Sequence, residues 1–248
     1  VSITQHGGAA GARNEGIRAA EGELIAFLDS DDEWSPTKLE KQLAVLENNP
    51  QLSLVSCASI IIAPDGTVQG DTFGGHRPTL GSNAWKALLH TNFIATPTVL
   101  ARRDQLLSLG GFDRKLKVGE DQDMWIRLAL IGDLDFVQET LVFVHERQNS
   151  LSNGALEDQL DYTLPMIERH LSSLEHRMTP AEIRRIKGER MSRVGRLAYV
   201  RGKRALGLKL IMRASMLGHN LIENGFYIVN ASGPAIWLKA WIRDRSTA

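Results

Sequence analysis

Residues 23–34 read ELIAFLDSDDEW, an apolar run that stops abruptly in acidic residues. This pattern is typical of a buried strand that carries carboxylates at its carboxyl end. In an open α/β sheet, ligands bind outside the carboxyl ends of the strands. Asp29 and Asp31 could therefore share one hard divalent cation, which would leave positions on the cation for water and phosphate oxygens.

Two other interpretations of this acidic segment stay open. A solvated acidic turn has the same composition. An EF-hand loop is disfavoured, because Trp34 stands at the sixth position, where such a loop needs glycine.

The sequence around this segment alternates short apolar runs with helical patterns, which predicts a sheet covered by helices. In the helix that Ser35-Pro36 would start, we expect Leu39, Leu43 and Leu46 to form the buried face. The predicted strands are 23–28, 52–62, 96–101 and 136–144, and the predicted helices run from near 9 to 21, from 35 to about 48, from 103 to 109 and from 121 to 131.

Charge divides the chain into two parts. The whole sequence has 29 basic and 29 acidic residues, so its formal net charge is zero and a nucleic-acid partner is not expected. Residues 1–154 hold 13 basic and 20 acidic residues, whereas residues 155–248 hold 16 and 9. We therefore expect two domains, 1–153 and 154–248, the second of them helical. Between residues 184 and 213 there are 11 basic residues and one acid, Glu189, interleaved with apolar positions, which predicts a basic amphipathic helix pair.

Cysteine content and hydropathy indicate the compartment. Cys57 is the only cysteine, so no intrachain disulfide can form and a reducing compartment is expected. The uncharged stretch 224–238 contains Gly, Asn, Ser and Pro and falls short of the roughly 20 apolar residues that span a bilayer. No signal-peptide pattern opens the chain, which begins without Met as if in mid-domain. A cytoplasmic protein is expected.

A second acidic segment, GEDQDMWIRL, occupies residues 119–128. One aspartate at a helix N-cap is usually structural, because its side chain accepts a backbone N–H. Glu120, Asp121 and Asp123 are more acids than a cap requires. A carboxylate among other carboxylates has a raised pKa and can act as a general base near neutral pH. Trp125 is expected in the core, with a role as a substrate platform as the second reading.

Two weaker signals lie elsewhere. The glycine-rich stretch 8–16 could cradle phosphate on free N–H groups at a helix start, although it lacks the spacing of a P-loop or of a dinucleotide fingerprint. His145 and Arg147 follow a predicted strand, and a histidine in that position is more often a surface residue than a ligand.

Four segments in order carry a family resemblance: ARNEGI at 12–17, FLDSDDEW at 27–34, GGFD at 110–113 and EDQDMW at 120–125. Together they resemble the family 2 glycosyltransferases of the GT-A fold, over about residues 6–152. The resemblance implies an α/β fold with a GT-A-like (Rossmann-like) mixed sheet flanked by helices, followed by an α-helical C-terminal region. It also implies that the sheet is incomplete at its N-terminus, because the strand, helix and strand that hold the nucleotide base in that family have no counterpart before Val1.

The activity that the resemblance implies is inverting transfer of a sugar from a nucleotide diphosphate to an acceptor hydroxyl, in polysaccharide or glycolipid biosynthesis. The donor would be a UDP- or GDP-sugar, the acceptor a saccharide, a lipid-linked molecule or a protein, and the cofactor Mg²⁺ or Mn²⁺. The implied roles are nucleotide-sugar binding for Arg13, Asn14, Asp29, Asp31 and Asp32, metal binding for Asp31 with Asp29, and base catalysis for Asp121 beside Glu120. The match is looser at His145, because Arg147 stands where the family often has a histidine before Ser150.

Three alternatives accompany this reading. The chain could be a truncated, catalytically incomplete module that acts as a scaffold or partner subunit. An aspartyl-phosphate type of phosphoryl transfer is disfavoured, because Trp34-Ser35-Pro36 does not resemble that family's continuation. The basic segment 183–213 could hold the enzyme against an anionic inner membrane face, or it could be a solvated helical hairpin.

Overall fold

A long strand, β3 (Leu52–Ile62), lies at the centre of a six-stranded mixed sheet with the order β1-β5-β3-β6-β2. The remaining strand, β4, pairs with the carboxyl-terminal end of β3. β3 and β6 are parallel, and the other neighbouring strands are antiparallel. The strands are β1 Leu24–Ala26, β2 Glu33–Trp34, β3, β4 Val68–Asp71, β5 Leu100–Arg102 and β6 Asp133–His145.

The computed structural model describes residues 7–71, 80–146, 155–220 and 224–225. The chain divides into two units between Asp158 and Gln159. Unit 1 contains the sheet and six helices among its described residues, namely α1 Gly8–Ala19, α2 Lys38–Glu47, α3 Ala84–His90, α4 Arg103–Ser108, α5 Glu120–Ile131 and the short α6 Leu156–Asp158.

The sheet brings the acidic segment to one edge. β1 is antiparallel to β5, and β5 is antiparallel to β3, so β1 runs in the same direction as β3 and β6. The carboxyl ends of these three strands therefore share an edge, and residues 27–32 cross that edge before β2 pairs with β6 on the other side. The prediction of an α/β mixed sheet with acids at a strand's carboxyl end is confirmed.

Helix α2 differs from its prediction in both its start and its buried face. It begins at Lys38 after Thr37, not at Ser35-Pro36. Lys38, Gln42 and Leu46 face inward, whereas Leu39 and Leu43 are 44% and 39% exposed. Lys38 and Gln42 can be buried because their polar groups contact the Trp34 ring and backbone carbonyls of the sheet and the turn before β5.

The buried groups of α2 contact the sheet and the turn before β5. The Gln42 amide donates to the carbonyls of Val55 (2.9 Å) and Thr98 (2.8 Å). The Lys38 ammonium lies 4.1 Å from the Trp34 ring centroid, and burial lowers the pKa of Lys38 to about 8.

Only the end of the predicted strand 96–101 is a strand in the structure. Thr96–Thr98 form a 3₁₀ turn, and β5 starts at Leu100. Pro97 has no N–H to donate to a ladder, and the turn closes through its own backbone bonds.

Three aromatic side chains fill the core beside α5. Phe27, Phe112 and Trp125 have ring centroids 5.5 to 5.9 Å apart. Trp125 is fully buried, as the favoured expectation of a core position predicts, and it packs against the other two rings.

Unit 2 is helical over its described residues. A π-helical turn, Gln159–Thr163, leads into α7 Leu164–Ser173, and a capping box at Thr179 and Glu182 starts α8 Pro180–Val200. α9 Arg204–Met216 packs against α8 in close backbone contact, because a Cβ on Gly207 would lie 2.7 Å from the Gly195 carbonyl oxygen.

The predicted basic amphipathic pair is confirmed in these two helices. Ile186, Val194 and Leu210 are buried, while Arg184 and Arg185 are exposed. Arg190 departs from the pattern, since it is 6% exposed and burial lowers its pKa to about 9. No described helix combines the length and the hydropathy that a membrane span needs.

Candidate functional site

The loop cluster, which we define as Asp29, Asp31 and Asp32, lies where residues 27–32 cross the carboxyl edge of the sheet. The Asp29 side chain is 43% exposed. Asp32 accepts the backbone N–H of His145 at the end of β6 (3.2 Å). Partial burial, followed by the charges of Asp29 and Asp31, raises the pKa of Asp32 to about 6. Like charges therefore face one another at this edge.

The helix cluster, which we define as Glu120, Asp121 and Asp123, opens α5. Gly119 precedes it with φ +79°, a left-handed conformation that favours glycine and lets the chain turn into the helix. Burial and the charge of Asp121 raise the pKa of Glu120. Burial likewise raises the pKa of Asp121. Both carboxyls are thus moved toward the range in which a general base works.

Arg13 joins the two clusters. Its guanidinium donates to Glu120 Oε1 (2.7 Å) and to Asp29 Oδ1 (3.1 Å), with its carbon 5.6 Å from the Phe112 ring centroid. Burial opposes the charge of Arg13, but the carboxylates of Asp29 and Glu120 outweigh burial and raise its pKa. The structure thus brings Arg13, Asp29 and Glu120 together, as the resemblance requires of one site.

Asn14, in contrast, has a structural position. Its amide donates to the Phe112 carbonyl (2.8 Å) and accepts the Phe112 N–H (2.7 Å). Gly111 leaves room for it, because a Cβ there would lie 2.4 Å from Asn14 Oδ1. Asn14 is 4% exposed. Both ends of its amide are bonded to the backbone of the GGFD segment, which is a structural role, and the nucleotide contact implied for Asn14 stays a prediction.

Asp123 and Arg127 also have an architectural role. Arg127 pairs with Asp123 (2.7 Å) and donates to the carbonyls of Leu109 and Gly111, both at 2.9 Å. Because Asp123 is almost fully buried, this pair ties α5 to the segment that holds Asn14. Within the helix cluster, Glu120 and Asp121 therefore belong to the candidate site, whereas Asp123 supports the fold.

His145 contributes through its backbone. Its N–H holds Asp32, and its Nε2 lies 3.5 Å from Glu33 Oε1, an exposed acid. The His145 side chain is half-buried, and its assigned role stays a prediction. Arg147 lies outside the described residues, so its assigned role stays a prediction.

Sequence reasoning missed Asn92. Its amide Nδ2 donates to Asp121 Oδ2 (2.8 Å) across 29 residues of sequence. A single asparagine between α3 and a turn has no motif around it, so no signal in the sequence points to this contact.

The arrangement of the acidic residues indicates which kind of metal site they could form. Over the ranges that the structure describes, no group of three or more His, Cys, Asp or Glu side chains converges into a complete metal site. Mg²⁺ commonly binds through one or two carboxylates plus substrate phosphates. The loop cluster, with oxygen ligands at an accessible edge and mutual repulsion that a cation would relieve, fits this second kind of site.

Comparisons with known proteins agree with the fold. Residues 1–108 match the model of "Glycosyl transferase family 2". The chain is 38% identical over 156 residues to TuaG of Bacillus subtilis (strain 168), a glycosyltransferase assigned by its name to teichuronic acid biosynthesis, with 62% of this chain and 59% of the relative covered. It is 30% identical over 129 residues to the amylovoran biosynthesis glycosyltransferase AmsB of Erwinia amylovora, with 50% and 42% covered.

Solved structures of S. aureus TarS are similar in fold. TarS 1–349 aligns with a TM-score of 0.57 at 16% identity, covering 87% of this chain and 62% of that one. Its complex with UDP-GlcNAc aligns with a TM-score of 0.50 at 17% identity, covering 85% and 72%.

The chain spans about half the length of the curated relatives it matches. The family match covers α1, the loop cluster and the central strand β3. The stretch that matches the glycosyl transferase family 2 model, residues 1–108, thus includes Arg13 and the loop cluster.

Proposed function

We propose that the chain is the catalytic part of an inverting glycosyltransferase that moves a sugar from a nucleotide diphosphate to an acceptor hydroxyl in polysaccharide or glycolipid biosynthesis. The observation that carries the proposal is the Arg13 bridge, which joins an accessible acid at the sheet edge to a buried acid beside a base candidate. Relatives named for teichuronic acid and amylovoran biosynthesis support the pathway class.

On the donor side, Asp31 with Asp29 would hold Mg²⁺ or Mn²⁺. A bound divalent cation would neutralise charge that develops on the leaving diphosphate. Asp29 would lie near the ribose, and Asp32, fixed by the N–H of His145, would keep the loop cluster in place. A UDP- or GDP-sugar is the proposed donor. The TarS complex supports the UDP class only by analogy of fold.

On the acceptor side, Asp121 would act as the base. Its carboxylate takes the proton of the acceptor hydroxyl, and the oxygen attacks the anomeric carbon. The bond from that carbon to the diphosphate oxygen breaks, and the diphosphate leaves with the electron pair. Burial raises the pKa of Asp121, which strengthens it as a base. Arg13 pairs with Glu120, so this neighbouring charge is balanced beside the base.

Binding of nucleotides tests the donor site. Titration calorimetry of UDP and GDP, with and without Mn²⁺, is expected to show metal-dependent binding by the chain and its loss in Asp31→Ala. Asp104→Ala, which removes an exposed aspartate of α4, serves as the matched control and should bind as the unchanged chain does. If the folded chain binds neither nucleotide, it holds no donor and the proposal is wrong.

The basic helices α8 and α9 suggest where the acceptor resides. Exposed Arg184, Arg185, Lys209 and Arg213 accompany two exposed methionines of α9, Met212 and Met216. Lys209, Met212, Arg213 and Met216 line one open groove of α9, and basic side chains beside apolar ones suit an anionic membrane at the cytoplasmic face. A saccharide on a lipid carrier would then be the acceptor, with a free saccharide or a protein as the alternatives.

Vesicle sedimentation tests this location. Binding to phosphatidylcholine vesicles should require phosphatidylglycerol, weaken with salt and fall in the double variant Arg184→Gln/Arg185→Gln. Arg169→Gln/Arg177→Gln removes two exposed arginines of unit 2 outside α8 and α9 and is the matched control. Equal sedimentation of the two double variants would exclude a specific role for the basic pair.

A further inference from the structure

Asn92 lies between α3 and the 3₁₀ turn at Thr96, and its side chain reaches the opening of α5. Nδ2 donates to Asp121 Oδ2 at 2.8 Å. The other end of the same amide is also used, because Asn92 Oδ1 accepts the backbone N–H of Ile94 at 3.3 Å. The loop therefore determines which end of the amide faces the carboxylate.

The carboxylate of Asp121 is held on both of its oxygens. While Oδ2 accepts from Asn92, Oδ1 accepts the N–H of Gln122 at 2.7 Å. The Gln122 side chain donates in turn to the Leu88 carbonyl of α3. Since Leu88 and Gln122 are buried, α3 and the start of α5 form one packed unit, which keeps Asn92 opposite Asp121.

A donor on a carboxylate oxygen has two physical effects. It fixes the plane of the carboxylate, and it favours the ionised form, which is the form that accepts a proton. Burial acts in the opposite direction on Asp121. The amide of Asn92 therefore offsets burial at the group that must be ionised for base catalysis.

We propose that Asn92 is a positioning residue for sugar transfer, which orients the Asp121 carboxylate toward the acceptor and keeps it ionised at neutral pH. This inference rests on the proposed function and assigns to it a residue that lies outside the four family segments. The role of Asn92 concerns the base alone, and the loop cluster is the proposed site of donor binding.

Other charged groups surround Asp121 and set its background. Arg13 from α1 favours the ionised form. Arg13 and Asp29 lie at the bridge to α5, and Glu120, Asp123 and Arg127 lie on α5 itself. The elements packed against α5 carry further titratable groups, namely Lys86 and His90 on α3, Cys57 on β3, and Asp133, Asp135, Glu139 and His145 on β6. All of them are unchanged in an Asn92 variant, so a change in the pKa of Asp121 in such a variant reports the loss of the amide.

The test compares Asn92→Leu, which keeps the branched shape and removes the donor, with Asn92→Ser, which keeps a shorter donor. Carboxyl-carbon NMR of the full chain, with Asp121→Asn to assign the signal, gives the pKa of Asp121 without any substrate. We expect a rise of about one unit in Asn92→Leu, equivalent to about 1.4 kcal/mol, and a smaller rise in Asn92→Ser.

Kinetics supply the second readout. The acidic limb of the kcat profile against pH should move upward by the same amount. KM for the nucleotide sugar should stay unchanged within about twofold, because the side-chain hydrogen bonds of Asn92 involve Asp121 and Ile94. An unmoved pKa for Asp121 in folded Asn92→Leu would overturn the inference, as would a rise in Asn92→Ser as large as in Asn92→Leu or a loss confined to KM.

The two proposals fail in different ways. If the unchanged chain neither binds nucleotides nor transfers sugar, the proposed function is wrong, and with it the role of Asn92 in transfer. If transfer occurs and the pKa of Asp121 does not depend on Asn92, only the inference about Asn92 is wrong.

Discussion

The loop cluster and the helix cluster have nearly the same composition and very different surroundings. In the loop cluster, the Asp29 side chain is 43% exposed, and partial burial, followed by the charges of Asp29 and Asp31, raises the pKa of Asp32 to about 6. In the helix cluster, the Glu120 and Asp123 side chains are 11% and 3% exposed. Each acid there has a partner of its own, namely Arg13 for Glu120, Asn92 for Asp121 and Arg127 for Asp123.

We infer from this difference that the loop cluster suits binding and the helix cluster suits proton transfer. Carboxylates that repel one another at an accessible edge suit a cation that arrives with its substrate. Carboxylates that are individually held in a buried helix start suit a base of defined orientation and the architecture beneath it. Arg13 contacts both groups, so the two functions can meet in one site.

The largest expected effect comes from Asp121→Asn, which keeps the shape of the side chain and removes the base. Turnover should fall by about 10²- to 10⁴-fold, the usual contribution of general acid–base catalysis. Nucleotide binding should stay unchanged, because the proposed function assigns Asp121 to the acceptor side. Steady-state release of UDP or GDP measures the first, and calorimetry the second. Retention of full turnover would remove Asp121 from the mechanism.

Asp123→Ala should act on stability instead. It leaves the partly buried Arg127 without its carboxylate, and breaking a buried ion pair from one side costs about 3 kcal/mol. Urea denaturation measures the free energy of unfolding. Asp104→Ala is the control and should change that free energy by less than about 0.5 kcal/mol, as is usual for exposed positions. Equal stability of the two variants would mean that Asp123 is not structural.

Asp31→Ala should affect binding of the nucleotide with its metal and little else. We expect at least a tenfold weaker affinity for UDP or GDP with Mn²⁺, equivalent to about 1.4 kcal/mol. Affinity without Mn²⁺ should not change. A loss of the same size without the metal would show that Asp31 contacts the nucleotide directly.

The smallest effect concerns the pH dependence of stability at Asp32. Its pKa in the folded chain is raised from 3.8 to about 6, so the folded state binds more protons than the unfolded state between these pH values. Stability contributed by the protonated group is therefore present near pH 4 and is lost as pH rises through 6. Relative to Asp32→Asn, the unchanged chain should lose stability over this window in metal-free urea titrations. A constant difference between the two proteins would contradict the raised pKa.

Much of unit 1 could be predicted from the sequence where burial is complete. The bounds of β3, 52–62, agree with the prediction because a β-branched apolar run lies between Pro50 and the turn at Pro64-Asp65-Gly66. The inward face of α2 could not be predicted in this way. Lys38 and Gln42 are buried because Trp34 and the backbone of the sheet provide contacts for them, and periodicity of apolar residues does not contain that information.

The acids of the site could be predicted, but their connections could not. Glu120, Asp121 and the loop cluster lie in dense local patterns. Arg13 and Glu120 are 107 residues apart, and Asn92 and Asp121 are 29 apart, so their contacts exist only once the sheet has formed. Asn14 shows the converse, because a residue within a family motif is bonded to the backbone of another motif.

The most direct test of a single site formed by both clusters is paramagnetic broadening by Mn²⁺ in the presence of UDP or GDP. Backbone amide NMR of the full chain should show the earliest broadening at residues 29–32 and 119–122. Asp31→Ala should abolish the effect at both segments together. Broadening of 29–32 without 119–122 would contradict the account, because the cation would then lie away from the base.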